Sequence, residues 1–424
     1  MKPDPDTPLR PIDVEFARRQ FPAFSDARLA RWAHFENAGG SYACRQVIDR
    51  LTGFYSRTKV QPGHAFPLSV EATEAMEHSY RRMAAWMGVG VDEIHFGPST
   101  SQNTYVLARA FRSMWRDGDE IVASTQDHEA NAGVWRRLED KGIVVREWRV
   151  DPEKGTLDLA DLDRLMTERT RLVAFPHASN IVAAINPVTE VVARAAEVGA
   201  RVVVDGVSYA PHGLPDIGEL GVDVYLFSAY KTWGPHQGVM YVGRDLAGRL
   251  GNEGHYFVAD QLRYKLVPAG HDHAQVAACA GVIDYLDDLY AHHGGPSATP
   301  VERGRAVHDL FRAYETRLLD RLLRYVAGRD DVRVAGPTDA TRRAPTVSIV
   351  PLRRPVTDVA ESLVRDRMMV GVGDFYAPRL LDEMGIPTDP GVLRMSLTPY
   401  NPHADIQRPT APLPPALAPP PPPL

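Results

Sequence analysis

An α/β fold, with a large doubly wound, mostly parallel sheet domain and a smaller C-terminal α+β domain, is predicted by three features of the sequence. Short apolar, β-branched runs bounded by Gly, Pro or Asp recur between residues 93 and 242, as buried strands do. Amphipathic helical stretches alternate with them, the pattern of a sheet covered on both faces. After residue 296 the order changes to a long helix followed by short strands and one further helix.

In chain order, residues 1–33 read as an arm packing on the small domain, with a short helical pattern in EFARRQFPAF that ends near Pro22. Residues 34–295 form the large domain. His34 to Gly40 is a glycine-bearing turn where backbone can approach a ligand closely, and 42–55 looks helical. An amphipathic helix over 69–87 carries Ala72, Met76, Tyr80, Met83 and Trp86 near one face. Strands are expected at 93–96, 120–124, 143–150, 171–175, 202–204, 222–227 and 239–242, with helices at 105–112, 157–166 and 189–198. Helices at 274–290 and 299–323 lead into the small domain, residues 296–407, whose strands are expected at 332–335, 346–349 and 391–397 and whose helix spans 356–367. No helix is expected after Tyr400, and residues 408–424, rich in proline, read as an extended, disordered tail.

Composition narrows the function. The 48 Lys and Arg against 54 Asp and Glu give a mildly acidic balance without the basic block a nucleic-acid surface needs. No apolar run reaches the roughly 18 residues of a membrane span, and the start lacks a hydrophobic signal core. Two cysteines, Cys44 and Cys279, do not make a disulfide framework and fit a reducing, cytoplasmic setting. His271 and His273 flank Asp272, but two near histidines without a third ligand do not define a metal site, and none is expected.

The chemistry is concentrated in residues 201–243. Asp205 ends one apolar run and Lys231 follows the next, in FSAYK. An ammonium beside a buried strand is costly to desolvate, which favours a neutral amine or one bonded to a carbonyl, the requirement for a Schiff-base lysine. A carboxylate that keeps a pyridine nitrogen protonated, paired with such a lysine, fits pyridoxal phosphate. Read singly, Asp205 caps a turn and Lys231 snorkels to water. Gly-Pro-Ser-Thr-Ser at 97–101 opens a helix, either as an anion site or as an ordinary N-cap. His128 and Asn180 end two further strands, as catalytic or merely satisfied polar groups. Ligands in such sheets sit beyond the carboxyl ends of the strands, where 99–101, His128, Asn180 and Asp205 all fall. Arg394 stands among apolar neighbours, suited to clamp a carboxylate through two parallel bonds.

VVVDG followed by FSAYKTWGPHQG resembles the active-site segment of class V aminotransferases, in particular the cysteine desulfurases and their relatives, and the resemblance runs from about Phe35 to Asn401. It implies the pyridoxal-phosphate-dependent transferase fold, type I, and a homodimer acting on an amino-acid-like small molecule. By the same resemblance, Lys231, His128 and Asp205 are catalytic: Lys231 carries the aldehyde, His128 stacks on the ring and Asp205 binds its nitrogen. Thr100, Ser101, Asn180, Ser208 and Ser228 complete the cofactor contacts, Asn180 on the phenolic oxygen and the hydroxyls around the phosphate. Arg394, Gly39 and Asn37 fall at the substrate carboxylate. Two departures matter. The turn that carries a phosphate-binding Thr across the family's dimer reads Pro268 to His273 here, without Thr, leaving His271 or His273 as substitutes; His64 lies on a loop that in the family approaches the neighbouring site. The loop 371–377 holds Tyr376 where desulfurases place their nucleophilic Cys, and a phenol is a far poorer sulfur acceptor than a thiolate. The expectation is therefore a C–S (Cβ) lyase with desulfurase-like chemistry; an aminotransferase or epimerase would use the same residues, and a catalytically inactive binding protein would keep only the scaffold.

Overall fold

The computed structural model describes residues 9–410, with side chains to Arg408, so residues 1–8 and nearly all of the proline-rich segment lie outside the described residues. In chain order the strands are β1 (Ala33–His34), β2 (Ile94–Gly97), β3 (Glu120–Ser124), β4 (Val144–Trp148), β5 (Thr170–Pro176), β6 (Arg201–Asp205), β7 (Val224–Ser228), β8 (Gly238–Val242), β9 (Val332–Ala335), β10 (Thr346–Pro351), β11 (Met368–Met369), β12 (Gly371–Gly373) and β13 (Val392–Ser396).

Strands β2 to β8 form a seven-stranded sheet in the order β2-β8-β7-β6-β5-β3-β4. Neighbours from β7 through β4 run parallel, and β8 alone is antiparallel to both β7 and β2. Side chains alternate between two apolar cores because successive residues of a strand point to opposite faces. Val202, Val204, Tyr225 and Phe227 enter one core, whereas Val203, Val224 and Leu226 enter the other. The first core is covered by the helices Pro67–Trp86 and Ala280–His292, which contribute Met83, Trp86, Ile283 and Leu286; the second is covered by Thr100–Arg112 and Glu129–Arg136 through Leu107, Phe111 and Trp135. A sheet buried on both faces explains why its strands read as continuous apolar runs. The helix expected over 274–290 is two helices, His273–Ala278 and Ala280–His292, meeting at Cys279.

The smaller sheet is antiparallel, in the order β12-β13-β10-β9, and packs on the helix Pro300–Ala327 through Leu318, Leu319, Leu322 and Val326. That helix starts with Thr299 and Glu302 in a reciprocal cap. Arg394 therefore sits on an interior strand, β13, bonded on both sides.

Two expectations need correcting. A final helix does exist, His403–Thr410, because Ile406 is fully buried against the Pro300–Ala327 helix core and Asn401 bonds Asp405 at 3.2 Å. Residues 408–410, assigned to the tail, belong to it. The N-terminal arm does not pack on the small domain alone. Although β1 pairs with β11, Phe16 stacks on His292 at 3.7 Å and Phe21 wedges between Tyr285 and Tyr400, so the arm bridges both domains.

One close approach sets the edge where the site lies. A Cβ at Gly238, on β8, would collide with the Ser99 carbonyl carbon and come within 2.7 Å of the Thr100 nitrogen. Gly238→Ala is expected to push the Thr100–Arg112 helix off the sheet and destabilise the fold by roughly 1–3 kcal/mol, measured as a lower urea midpoint at unchanged slope.

Candidate active site

Five parallel strands end on one edge, and each hands a polar residue to the same cavity. Beyond β2 the Thr100–Arg112 helix begins, capped by Ser99 Oγ accepting from the Gln102 amide at 3.1 Å. Beyond β3 comes His128, beyond β5 Asn180, at the end of β6 Asp205, and just past β7 Lys231. The parallel direction of these strands makes the convergence unavoidable.

Thr100, Ser101, Ser208 and Ser228 line the inner part of the cavity with His128, Asn180, Asp205 and Lys231. Thr100 Oγ1 and Ser228 Oγ are 2.8 Å apart. Together with the open amides of the helix's first turn they form an anion seat of hydroxyls and N–H groups. An outer lobe of ≈ 540 Å³ shares His128, Asn180, Tyr230 and Lys231 with the inner part and adds Glu36, Gly39, Tyr105, Glu129, Tyr376 and Arg394.

The electrostatics divide the titratable groups. Burial, and then the charge of Arg394, lowers the Lys231 amine from its ordinary 10.5 to about 8, against the pull of Asp205. Burial and the positive charges of Lys231 and Arg394 bring His128 down to about 4, so its ring is neutral. His128 Nδ1 accepts from the Ala130 amide at 3.0 Å, which leaves the ring proton on Nε2. Burial raises Asp205 to about 6, partly offset by the Val207 amide bonded to Oδ1 at 2.8 Å and by Lys231. Asp127, which also lines the inner part, is raised further by burial and then by Asp205's charge, although Asn131 and the His128 amide donate to it. Of the two carboxyls Asp127 is raised further, and Asp205 is the one that the nearby Lys231 charge draws down.

Arg394 is buried, donates from Nη2 to Glu36 Oε1 at 2.8 Å and from Nη1 to the Asn180 carbonyl at 3.2 Å, and lies 3.6 Å from the centre of the Phe375 ring. Asn180 Nδ2 donates to the Phe375 carbonyl at 2.8 Å while its Oδ1 is buried without a partner. Tyr376 is exposed, with its ring 5.3 Å from His128.

Of the residues singled out in the sequence, Asn37 does not reach the cavity. Its Nδ2 donates to the His34 and Ser396 carbonyls, its Oδ1 accepts from the Tyr400 hydroxyl, and it is 2 % exposed, so it ties the N-terminal strand to the small domain. The neighbouring Glu36 faces Arg394 instead. Asp127, Glu36, Glu129 and Phe375 were missed; the adjacency of Asp127 to His128 was the available signal for the first. His64, His271 and His273 line neither part of this cavity, and His271 Nε2 bonds the Tyr80 hydroxyl at 3.2 Å. Cys44 and Cys279 are buried away from it, with burial pushing the Cys44 thiol up to about 12. Among the described residues no cluster of three metal-ligating side chains occurs, and no helix is long and apolar enough to cross a membrane.

These features fit pyridoxal phosphate: a hydroxyl and amide seat for its phosphate, a buried carboxyl for its nitrogen, an unpartnered buried Asn oxygen beside it, and an amine of lowered pKa for its aldehyde. The fold and site thus define a pyridoxal-phosphate-dependent enzyme of fold type I. The profile of the aminotransferase class-V family matches residues 33–289 and 307–408, and the chain belongs to that family. It is 32% identical over 402 residues to the aminotransferase-like protein FGM3 of Gibberella zeae, covering 92% of this chain and 95% of that one. It is 31% identical over 411 residues to the cysteine desulfurase-like protein ustD of Aspergillus flavus, covering 93% and 89%. Its fold is that of the solved cysteine desulfurase from Thermococcus onnurineus NA1, with a TM-score of 0.79 at 24% identity over 93% of this chain and 95% of that one.

Two measurements check the electrostatics. Below about pH 8 the Lys231 amine is protonated and not nucleophilic, and above it neutral, so uptake of pyridoxal phosphate by cofactor-free protein should quicken up to about pH 8 and then level, well below the 10.5 of an ordinary lysine. Followed by stopped-flow absorbance, a continued rise to pH 10 would contradict the assignment. Asp205→Asn should weaken cofactor binding about tenfold or more, as loss of a hydrogen bond to a charged group does, in a spectrophotometric titration.

Proposed function

We propose that the protein cleaves the bond to the β-substituent of an α-amino acid, as a C–S (Cβ) lyase. The observation that carries this reading is the placing of Arg394 and Lys231 on one lobe with Tyr376, and no thiol, at its mouth. Pyridoxal phosphate, when bound, supplies an electron sink for the pair released at Cα. Asp205 would hold its ring nitrogen protonated, neutral His128 would stack on the ring, and Asn180 would bond the phenolic oxygen. Thr100, Ser101, Ser208 and Ser228 would hold the phosphate.

Arg394 takes the α-carboxylate and orients the substrate amine toward Lys231. Lys231 Nζ would hold the cofactor aldehyde, and as a free amine it removes the Cα proton, a task its lowered pKa suits near neutral pH. Tyr376 faces the departing group without a thiolate to capture sulfur, so sulfur leaves as a free thiol. This separates the proposal from persulfide-forming desulfuration. Exposed Tyr256 and Phe257 support a homodimer, and the two free cysteines suit a reducing cytoplasm.

The test is product analysis on the purified holoenzyme with cysteine and S-substituted cysteines. Pyruvate and released thiol are expected. Amino-group transfer to a keto acid would instead establish transamination, and solvent deuterium at Cα with inversion would establish epimerisation. Lys231→Ala should abolish turnover by at least about a thousandfold and remove the visible absorbance of the lysine-bound cofactor. Unchanged turnover in that variant would sink every reading in which Lys231 carries the cofactor.

A further inference from the structure

Arg394 is 3 % exposed, and among the described residues the only carboxylate bonded to it is Glu36. The carboxylate has a prepared seat. A Cβ at Gly39 would collide with Glu36 Oε2, so a side chain is left out there to make room for it, and one at Gly371 would meet the Phe375 ring at 2.9 Å and Glu36 Oε1 at 3.0 Å. The Glu36 side chain is 30% exposed, whereas Arg394 is fixed by the Asn180 carbonyl and the Phe375 ring. In any exchange, Glu36 can swing to solvent and Arg394 must stay.

We propose that Glu36 is a built-in competitor for the substrate-carboxylate subsite: it occupies Arg394 in the free enzyme and leaves for solvent when a substrate carboxylate arrives. The proposal rests on the reading of Arg394 as the carboxylate clamp. Removing one partner of a buried ion pair leaves an uncompensated charge, so Glu36 keeps the empty site stable. The same pairing lowers apparent affinity by the fraction of enzyme in which Arg394 is free. A bare carboxylate gains only what Glu36 already supplies. An amino acid gains in addition whatever its amine and side chain contribute, and so displaces Glu36. The pair thereby raises the intrinsic affinity any ligand needs to enter, a threshold that an amino acid passes with its additional contacts and a bare carboxylate does not.

The test titrates holoenzyme with propionate, a carboxylate without an amine, by calorimetry and by its effect on Tm, in wild type, Glu36→Gln, Glu36→Ala and Arg394→Gln. Glu36→Gln removes the competing charge, and Glu36→Ala removes the competing side chain altogether. Both are expected to bind propionate about tenfold tighter than wild type or more, and Glu36→Gln should melt lower and recover when propionate is added. Equal or weaker propionate binding in both variants, with binding still lost in Arg394→Gln, overturns the competitor role and leaves the clamp standing. Propionate binding that survives Arg394→Gln overturns the clamp and the proposal together.

Discussion

The Lys231 amine lies just beyond a buried strand, close enough to Asp205 to feel its charge and too crowded by protein to hold a proton with its usual strength. Everything else at the site depends on that placement. The strand β7 that delivers the lysine is flanked by β6, which delivers Asp205, and by β8, whose reversed direction brings Gly238 to the same edge. Gly238 in turn lets the Thr100–Arg112 helix come close enough for Thr100 to meet Ser228. An anion seat, a carboxyl and a reactive amine are thus tied together by hydrogen-bonded neighbours in one sheet rather than by loops free to drift apart.

The same burial that activates the lysine sorts the remaining groups by charge. Desolvation acts on all of them in the direction of neutrality, and the neighbours then decide which resist. His128 has Lys231 and Arg394 against it and becomes neutral. Asp205 has Lys231 and the Val207 amide for it, and Asp127 has Asp205 against it. A neutral imidazole, and an Asp127 whose two oxygens are already taken by the His128 amide and Asn131, leave Asp205 as the one inner carboxyl suited to face a pyridinium.

The large sheet was legible because strands buried on both faces write themselves as unbroken β-branched runs between Gly, Pro and Asp. β6 and β7 are the clearest cases. The two-residue strands β1 and β11 and the glycine-bearing β12 carry no such pattern, since their place is set by partners far along the chain. The final helix was hidden by the prolines around it, although Ile406 is an ordinary core anchor. At the site, residues at the ends of long strands were readable from strand pattern plus chemistry. Asn37 was not, because polarity alone does not tell which of two adjacent side chains turns inward to the backbone and which faces the cavity. Asp127 escaped because nothing local shows that its carboxyl lies near Asp205, on a strand much further along.

The loop after β12 argues most directly about the reaction. Phe375 and Tyr376 both hold left-handed φ, 47° and 59°, a conformation that costs a non-glycine residue about 1–2 kcal/mol. Three hydrogen bonds offset this: Tyr376 N to Asp374 Oδ1 at 3.0 Å, Glu129 N to the Tyr376 carbonyl at 2.7 Å, and Asn180 Nδ2 to the Phe375 carbonyl at 2.8 Å. The last two bonds reach to the helix after His128 and to the segment after β5, so the loop is pinned to the large domain on both sides of the cavity. The result is that Phe375 lies over the Arg394 guanidinium and Tyr376 stands beside His128. A group that accepts sulfur has to reach the sulfur on the β-carbon, bond to it as the C–S bond breaks, and then carry its cargo away, which requires a nucleophile on a segment able to move. This segment offers a phenol on a backbone held in place by the site itself, an arrangement that fits shaping the mouth of the cavity and letting the departing group go.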